Sequence, residues 1–187
     1  MLNELTLKNR SYRRFNETRP VTDGELRQMI ESARLSASAG NLQKIRYALF
    51  NSSEDCGRIF PHLGFAAYLK DWKGPKEGER PTAYIVMMLD SEPDLNRAID
   101  MGIAAEAILL TACEMGLGGC IFRNYSKRAI AEIVDREGYS PELVIALGEP
   151  AEVAYITEVR DGDVKYYRDE NDRHAVPKLT LDELIIK

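Results

Sequence analysis

The segment Leu95–Met115 carries apolar residues on almost every side of the helix that its periodicity predicts. A helix that is apolar all round is buried on more than one side, so we expect a central helix between a sheet and a partner. Asp100 interrupts this helix, and because burying an unpaired carboxylate is costly, it needs a partner or a polar cavity. The segment Thr82–Leu89 is apolar at nearly every position, which predicts a strand covered on both faces.

The remaining pattern predicts one layered domain over residues 1–187, of α+β or α/β architecture. Thr22 and Glu25 have the spacing of a capping box, which predicts that a helix begins there and runs to about Leu35. Further helices are predicted at 1–8, at 54–70 with interruptions at Pro61 and Gly64, and at 126–136. Strands are predicted at 45–50 and 143–147, and a turn entering a strand at 116–122. Residues 151–187 are charged and weakly periodic, which predicts an arm that is disordered or wrapped on something, and their tyrosines favour wrapping.

Composition excludes several classes of protein. The net charge of −5 argues against a protein whose main role is to cover nucleic acid. Three cysteines without CxxC spacing and only two histidines argue against a disulfide framework or a zinc site, and they favour a reducing cytoplasm. The longest apolar stretch is too short and too polar to span a bilayer, so we expect a cytoplasmic protein without membrane contact.

The basic segment at residues 9–15 is the first candidate binding site. Arg10, Arg13 and Arg14 lie within five residues of one another, and Ser11 lies between them. Arginine presents a planar set of donors that fits phosphate oxygens, and the serine hydroxyl adds another donor. The alternative is a solvated basic turn, which for this segment taken alone is the commoner outcome.

A second candidate is the small-residue segment SASAGNLQ at 36–43. Small residues let a planar ligand approach the backbone, and the amides of Asn41 and Gln43 suit the edge of a heteroaromatic ring. The alternative is a helix end capped by Gly40, which the sequence favours about equally.

Two further segments carry weaker signals. The consecutive glycines of GLGGC at 116–120 could donate backbone N–H groups to an anionic cofactor, or they could form a simple capped turn. Lys178 could hold a phosphate, or it could be an ordinary surface lysine. For both segments, taken alone, the simpler alternative is favoured.

Taken together and in this order, the segments resemble the nitroreductase family of flavoproteins, in particular its short single-domain members. The segments that carry the resemblance are RSYRRF at 10–15, SAGNLQ at 38–43, the helix and turn at 100–120, ALGEP at 146–150 and VPKLTLDELI at 176–185. The resemblance implies an α+β sandwich with a mostly antiparallel central sheet and helices on both faces. It also implies an intertwined homodimer in which the C-terminal arm, residues 151–187, wraps the partner subunit.

The resemblance further implies two FMN sites at the dimer interface. Its cofactor-binding residues fall into four groups in this chain: Arg10, Ser11 and Arg13 on the phosphate and ribityl oxygens; Ser38, Asn41 and Gln43 from the loop that meets the flavin, often from the other subunit; Gly118 and Gly119 against the ring; and Lys178 on the phosphate. No catalytic side chain and no metal is implied, because the chemistry is carried by flavin N5.

The implied activity is an FMN-dependent transfer of electrons from NAD(P)H to a nitroaromatic, quinone or similar small-molecule acceptor, by a ping-pong mechanism. Three departures from the family pattern bear on it. Ala37 replaces a proline, Lys44-Ile45 replaces Pro-Trp, and Leu179 replaces an arginine. These changes alter the wall of the site, and the change at Leu179 removes one positive charge that would face the phosphate. They therefore keep open an alternative, a flavin-binding or ligand-sensing homodimer without significant turnover.

Overall fold

The central layer of the molecule is a four-stranded antiparallel sheet, which the computed structural model describes within residues 2–187. Its strands are β1 (Arg46–Phe50), β2 (Ala83–Leu89), β3 (Gly118–Phe122) and β4 (Ser140–Gly148), in the spatial order β1-β2-β4-β3. Every pair in this sheet is antiparallel. The helices are α1 (Leu2–Lys8), α2 (Asp23–Leu35), α3 (Ser53–Ile59), α4 (Leu95–Glu114), α5 (Lys127–Val134) and α6 (Leu181–Leu184).

The two faces of β2 belong to two different hydrophobic clusters, as the uninterrupted apolar run predicts. Ile85 and Met87 pack on the side of α2 and α4. Tyr84 and Val86 pack on the other side, with residues of α3 and α5. Side chains alternate across a strand, so an apolar residue at every position can satisfy both clusters. The expected architecture, an antiparallel sheet with helices on both faces, is confirmed.

Local signals place most helix ends correctly. Thr22 and Glu25 form the predicted capping box at the start of α2. The predicted helix over 54–70 is wrong beyond Ile59, because Pro61 lies in a short 3-10 turn at 60–62 and an irregular segment follows. Proline cannot continue an α-helix, since it lacks the backbone N–H that the helix needs.

The segment after Pro150 has more structure than its composition predicts. Strands β5 (Ala154–Glu158), β6 (Tyr167–Arg168) and β7 (His174–Lys178) form a second sheet in the order β5-β7-β6. Buried residues of β7 include His174 and Ala175, so this sheet packs against the chain's own domain. The apolar residues that stay exposed at the C-terminal end are Leu181, Leu184, Ile185 and Ile186. An arm that wraps a partner stays a prediction.

Helix α4 is buried on one side and exposed on the other. Its residues Ala105 and Ile108 have no exposed surface, whereas Leu95, Ile99 and Ile103 are 76%, 50% and 39% exposed. The sequence predicts cover on both sides of this helix, and a single chain covers only one. No helix within residues 2–187 is both long enough and apolar enough to cross a bilayer.

Candidate functional site

The basic segment 9–13 runs along the edge of β3. Ser11 and Gly119 form an isolated parallel bridge, and the backbone N–H of Tyr12 donates to the carbonyl of Gly119 at 3.0 Å. A cavity of about 300 Å³ opens between this segment, α4 and β7, and we call it the Arg13 cavity. Five of the predicted site residues line it: Arg10, Ser11, Arg13, Gly119 and Lys178.

The Arg13 cavity is positively charged although the chain as a whole is acidic. Arg10, Arg13 and Lys178 line it, and Glu106 is the acidic residue among its lining residues. Asn9 donates to Glu106 at 3.1 Å. The Nε atom of Arg10 is buried and has no hydrogen-bond partner within residues 2–187. A concave, cationic surface with an unused donor suits a small phosphate monoester.

Arg13 is held by the protein on several sides and is 8% exposed. Its Nη1 atom donates to the carbonyl of Ser11 and to Nε2 of His174, both at 3.0 Å. Its guanidinium lies over the ring of Tyr166 at 4.6 Å from the centroid. Burial, and next the nearby charge of Arg13, lower the pKa of His174 to about 4. The imidazole is therefore neutral near pH 7 and can accept a hydrogen bond from Arg13.

The segment 36–43 forms a separate loop anchored on Asp100. Oδ1 of Asp100 accepts from the backbone N–H of Ala39 at 2.8 Å, and Oδ2 accepts from the hydroxyl of Ser38 at 3.3 Å. Asp100 is 3% exposed, and it also lies 3.9 Å from Arg97. The sequence predicts that Asp100 needs a partner, and the loop at 36–43 provides it.

The loop carries unusual backbone conformations. Asn41 and Gln43 have φ angles of 54° and 49°, in the left-handed region that side chains larger than glycine adopt rarely. The backbone N–H of Gln43 donates to the hydroxyl of Ser38 at 3.1 Å. Gly40 also has positive φ, but α2 already ends at Leu35, so Gly40 does not cap that helix. Strained residues held in this way are common at binding sites.

The loop and the Arg13 cavity lie on different sides of α4. Ser38 and Gln43 line a cavity of about 250 Å³ together with Asp100 and Ala104. Glu106 and Leu109 of the same helix line the Arg13 cavity. At 3.6 residues per turn, the two pairs point at least about 120° apart round the helix axis. Within one chain, the predicted site residues therefore form two separate groups.

The consecutive glycines have a packing role that is independent of any ligand. A Cβ added at Gly118 would come within 2.4 Å of the Tyr12 ring, and one added at Gly119 within 2.7 Å of the carbonyl oxygen of Ala146. After α4 the chain turns at Gly116, which has a positive φ angle, whereas Gly118 and Gly119 do not. Close packing thus accounts for both strand glycines, and their contact with a flavin stays a prediction.

Sequence reasoning did not identify His174 and Tyr166 as site residues. Both line the Arg13 cavity, and they lie within the segment whose composition predicted only an arm. The available signals were weak: His174 is one of two histidines, and it precedes the predicted phosphate ligand Lys178 on the same short apolar run.

The cysteines do not have the properties of nucleophiles. Burial raises the pKa of Cys56 to about 12 and also raises the pKa values of Cys113 and Cys120. Thiols that stay protonated react poorly. Within residues 2–187, no group of three or more histidine, cysteine or acidic residues could hold a metal ion.

Comparison with known proteins finds a family match over part of the chain and a shared fold over most of it. The model of the nitroreductase family matches residues 7–71, which include the basic segment and the loop. An NADPH-flavin oxidoreductase from Vibrio harveyi is 28% identical over 131 residues, which are 62% of this chain and 50% of that protein. The chain therefore matches about half the length of this relative.

Solved structures share the whole architecture. A nitroreductase family protein from Streptococcus pneumoniae TIGR4 superposes with a TM-score of 0.70 at 17% identity and covers 100% of both chains. An FMN-dependent nitroreductase from Clostridium difficile R20291 superposes with a TM-score of 0.63 at 24% identity, over 81% of this chain and 88% of its own. The family match and the shared fold agree: residues 7–71 match the nitroreductase family, and the chain has the fold of these nitroreductase structures.

Proposed function

We propose that this protein is an FMN-dependent oxidoreductase of the cytoplasm that passes electrons from NAD(P)H to a nitroaromatic, quinone or similar acceptor. The observation that carries the proposal is the Arg13 cavity, in which Arg10, Ser11, Arg13 and Lys178 converge from opposite ends of the chain. The relative from Vibrio harveyi is named an NADPH-flavin oxidoreductase, which supports a flavin and a nicotinamide donor.

The cavity fits the phosphate end of FMN. Arginine donors, a serine hydroxyl and a lysine surround it, and a phosphate monoester carries close to two negative charges at neutral pH. Its volume of about 300 Å³ is at the lower end for ligand pockets, so a flavin ring needs further walls. Leu179 follows Lys178 directly, so one cation fewer is available here than in many family members.

Those further walls come, in this proposal, from a second copy of the chain. The loop with Ser38, Asn41 and Gln43 cannot reach the Arg13 cavity of its own chain, because α4 lies between them. Helix α4 also presents Leu95, Ile99 and Ile103 to solvent as an apolar stripe. A homodimer packed on this stripe covers it and brings one subunit's loop towards the other subunit's cavity. The exposed apolar residues of α6 and the C-terminus offer a further surface to the second copy.

In this arrangement the protein binds and orients, and the cofactor supplies the redox chemistry. FMN held by the site residues would supply the hydride and electron transfer at its N5 position. Arg10, Arg13 and Lys178 hold the phosphate, and the amides of Asn41 and Gln43 meet the ring edge. Lys44 and Ile45, which line the cavity beside the loop, form the wall that the donor and the acceptor meet in turn.

Reconstitution with flavin tests the proposal. We expect the desalted protein to retain FMN and to consume NAD(P)H when a quinone or a nitroaromatic compound is added. The double variant Arg10→Ala/Arg13→Ala should weaken FMN binding at least about 100-fold, because two charge-assisted contacts are lost. The matched control Arg27→Ala/Arg128→Ala removes two exposed arginines, of α2 and α5, and should leave affinity unchanged.

Each negative result has a separate meaning. Retained FMN without NAD(P)H consumption would favour the flavin-sensing alternative. No flavin binding at high FMN would contradict the proposal as a whole. Unchanged affinity in the double variant would remove Arg10 and Arg13 from the site.

A further inference from the structure

His174 has a contact with Arg13 that the family resemblance does not include. The two residues are far apart in the sequence, yet Nη1 of Arg13 lies 3.0 Å from Nε2 of His174. His174 is 1% exposed and its backbone N–H donates to the carbonyl of Val153 at 2.8 Å. Its place on β7 is therefore set by the backbone.

The chemistry of this contact fixes the state of the imidazole. A guanidinium can only donate, so Nε2 of His174 must carry a lone pair and the ring proton must lie on Nδ1. Nδ1 is buried and has no hydrogen-bond partner within residues 2–187. A protonated ring would place a second cation beside Arg13 without an acceptor between them, so the geometry requires neutral His174.

The contact also restricts the guanidinium. Nη1 of Arg13 makes both of the side-chain hydrogen bonds that Arg13 forms within residues 2–187, to Ser11 and to His174. Tyr166 lies under the plane of the group and also contacts the ring of His174, at 5.1 Å between centroids. The guanidinium is thus held by one edge and one face, and its other nitrogens stay available to a ligand in the cavity.

We propose that His174 is a positioning residue for a phosphate ligand: as a neutral acceptor it holds Arg13 in the orientation that binds the phosphate monoester of the cofactor. The inference rests on the proposed function, because it assumes that the ligand of the Arg13 cavity is FMN. A preorganised guanidinium loses less side-chain entropy on binding than a free one, so the contact strengthens binding without touching the ligand.

The test compares FMN with riboflavin, which has the same ring but no phosphate. We expect His174→Phe to weaken FMN binding about tenfold, the usual size for one hydrogen bond to a charged group. Riboflavin affinity should stay the same. His174→Gln, whose amide oxygen can accept from Arg13, should restore most of the FMN affinity. The matched control His62→Gln alters the other histidine, which lies on the 60–62 turn away from the cavity.

A double-mutant cycle completes the experiment. In the Arg13→Ala background, His174→Phe should have little further effect, because the residue that it positions is gone. An equal loss of FMN and riboflavin binding would show a general packing role and overturn the inference. So would an unchanged FMN affinity in His174→Phe, or an undiminished effect in the Arg13→Ala background. A wild-type protein that binds no FMN would contradict the proposed function itself.

Discussion

The Arg13 cavity and the loop at 36–43 are two groups of predicted site residues, and the protein builds them differently. Arg13 and His174 are almost fully buried, and their contacts come from segments at opposite ends of the chain. Most of the loop is exposed, and its anchor is a single carboxylate, Asp100. The cavity is preorganised by contacts within one chain. The loop instead depends on the Asp100 carboxylate and on strained backbone conformations at Asn41 and Gln43.

This difference indicates how the two groups work together. A buried cationic cavity keeps its geometry without a ligand, which suits tight recognition of a phosphate. The exposed loop holds Asn41 and Gln43 in left-handed conformations, and the side-chain amide of Gln43 donates to the carbonyl of Asn41 at 3.3 Å. In the proposed function this loop meets the cavity of a second subunit, and the predictions that follow probe the cavity and the loop separately.

The largest effect is expected from a charge on the apolar stripe of α4. Ile99→Glu/Ile103→Glu places two carboxylates where we propose that two copies meet, and burying them there would cost several kcal/mol. We expect a folded monomer in sedimentation velocity, with FMN binding largely lost because the partner's loop is absent. Gln28→Glu, which adds a carboxylate at an exposed residue of α2, is the matched control. A variant that stays dimeric would contradict the proposed interface.

A smaller effect is expected from loss of the loop anchor. Asp100→Ala removes the acceptor for Ala39 and Ser38 and leaves Arg97 without its partner carboxylate. We expect the free energy of unfolding in urea to fall by up to about 3 kcal/mol. Trypsin should then cleave faster at Lys44, which follows the loop.

The matched control for the anchor is Asp90→Ala. It removes a surface ion pair with Lys44 at 3.8 Å, and such pairs contribute at most about 1 kcal/mol. Equal effects of the two variants on unfolding and on cleavage would show that Asp100 does not anchor the loop.

The smallest effect concerns pH and involves only the Arg13 cavity. Burial and then the charge of Arg13 lower the pKa of His174 to about 4, and Glu152 opposes them more weakly. The charge of Arg168 adds the smallest lowering effect. As pH falls below 6.5, the unfolded chain therefore binds a proton that the folded chain does not. Stability should decrease from pH 6.5 towards pH 4, by about 2 kcal/mol at pH 5.

Urea denaturation at pH 7 and pH 5 measures this loss, and His174→Gln should abolish most of it. Buried or paired carboxylates add little in this range, because a group such as Glu25, with a pKa of about 2, begins to matter only below about pH 4.5. The same loss in wild type and in His174→Gln would show that another group is responsible.

The sequence predicts the central layers of the fold well and the C-terminal sheet poorly. The apolar runs of β2 and α4 extend over enough residues for their periodicity to show, and both elements occur where the pattern predicts them. Strands β6 and β7 are short and are bordered by charged residues, so their pairing leaves no periodic signal. Pro61, which the sequence shows as an interruption of the predicted third helix, prevents that helix from continuing beyond Ile59.

For the candidate site, the sequence indicates the residue types but not which residues meet. Arg10, Ser11 and Arg13 are visible as a basic segment because they are adjacent in the chain. Sequence alone also determines the capping box of α2 and the need of Asp100 for a partner, since both follow from local geometry and the cost of burying charge. The tertiary structure decides that His174 accepts from Arg13 and that α4 separates the loop from the cavity. Contacts between distant segments depend on how the layers pack, and local sequence patterns do not record that packing.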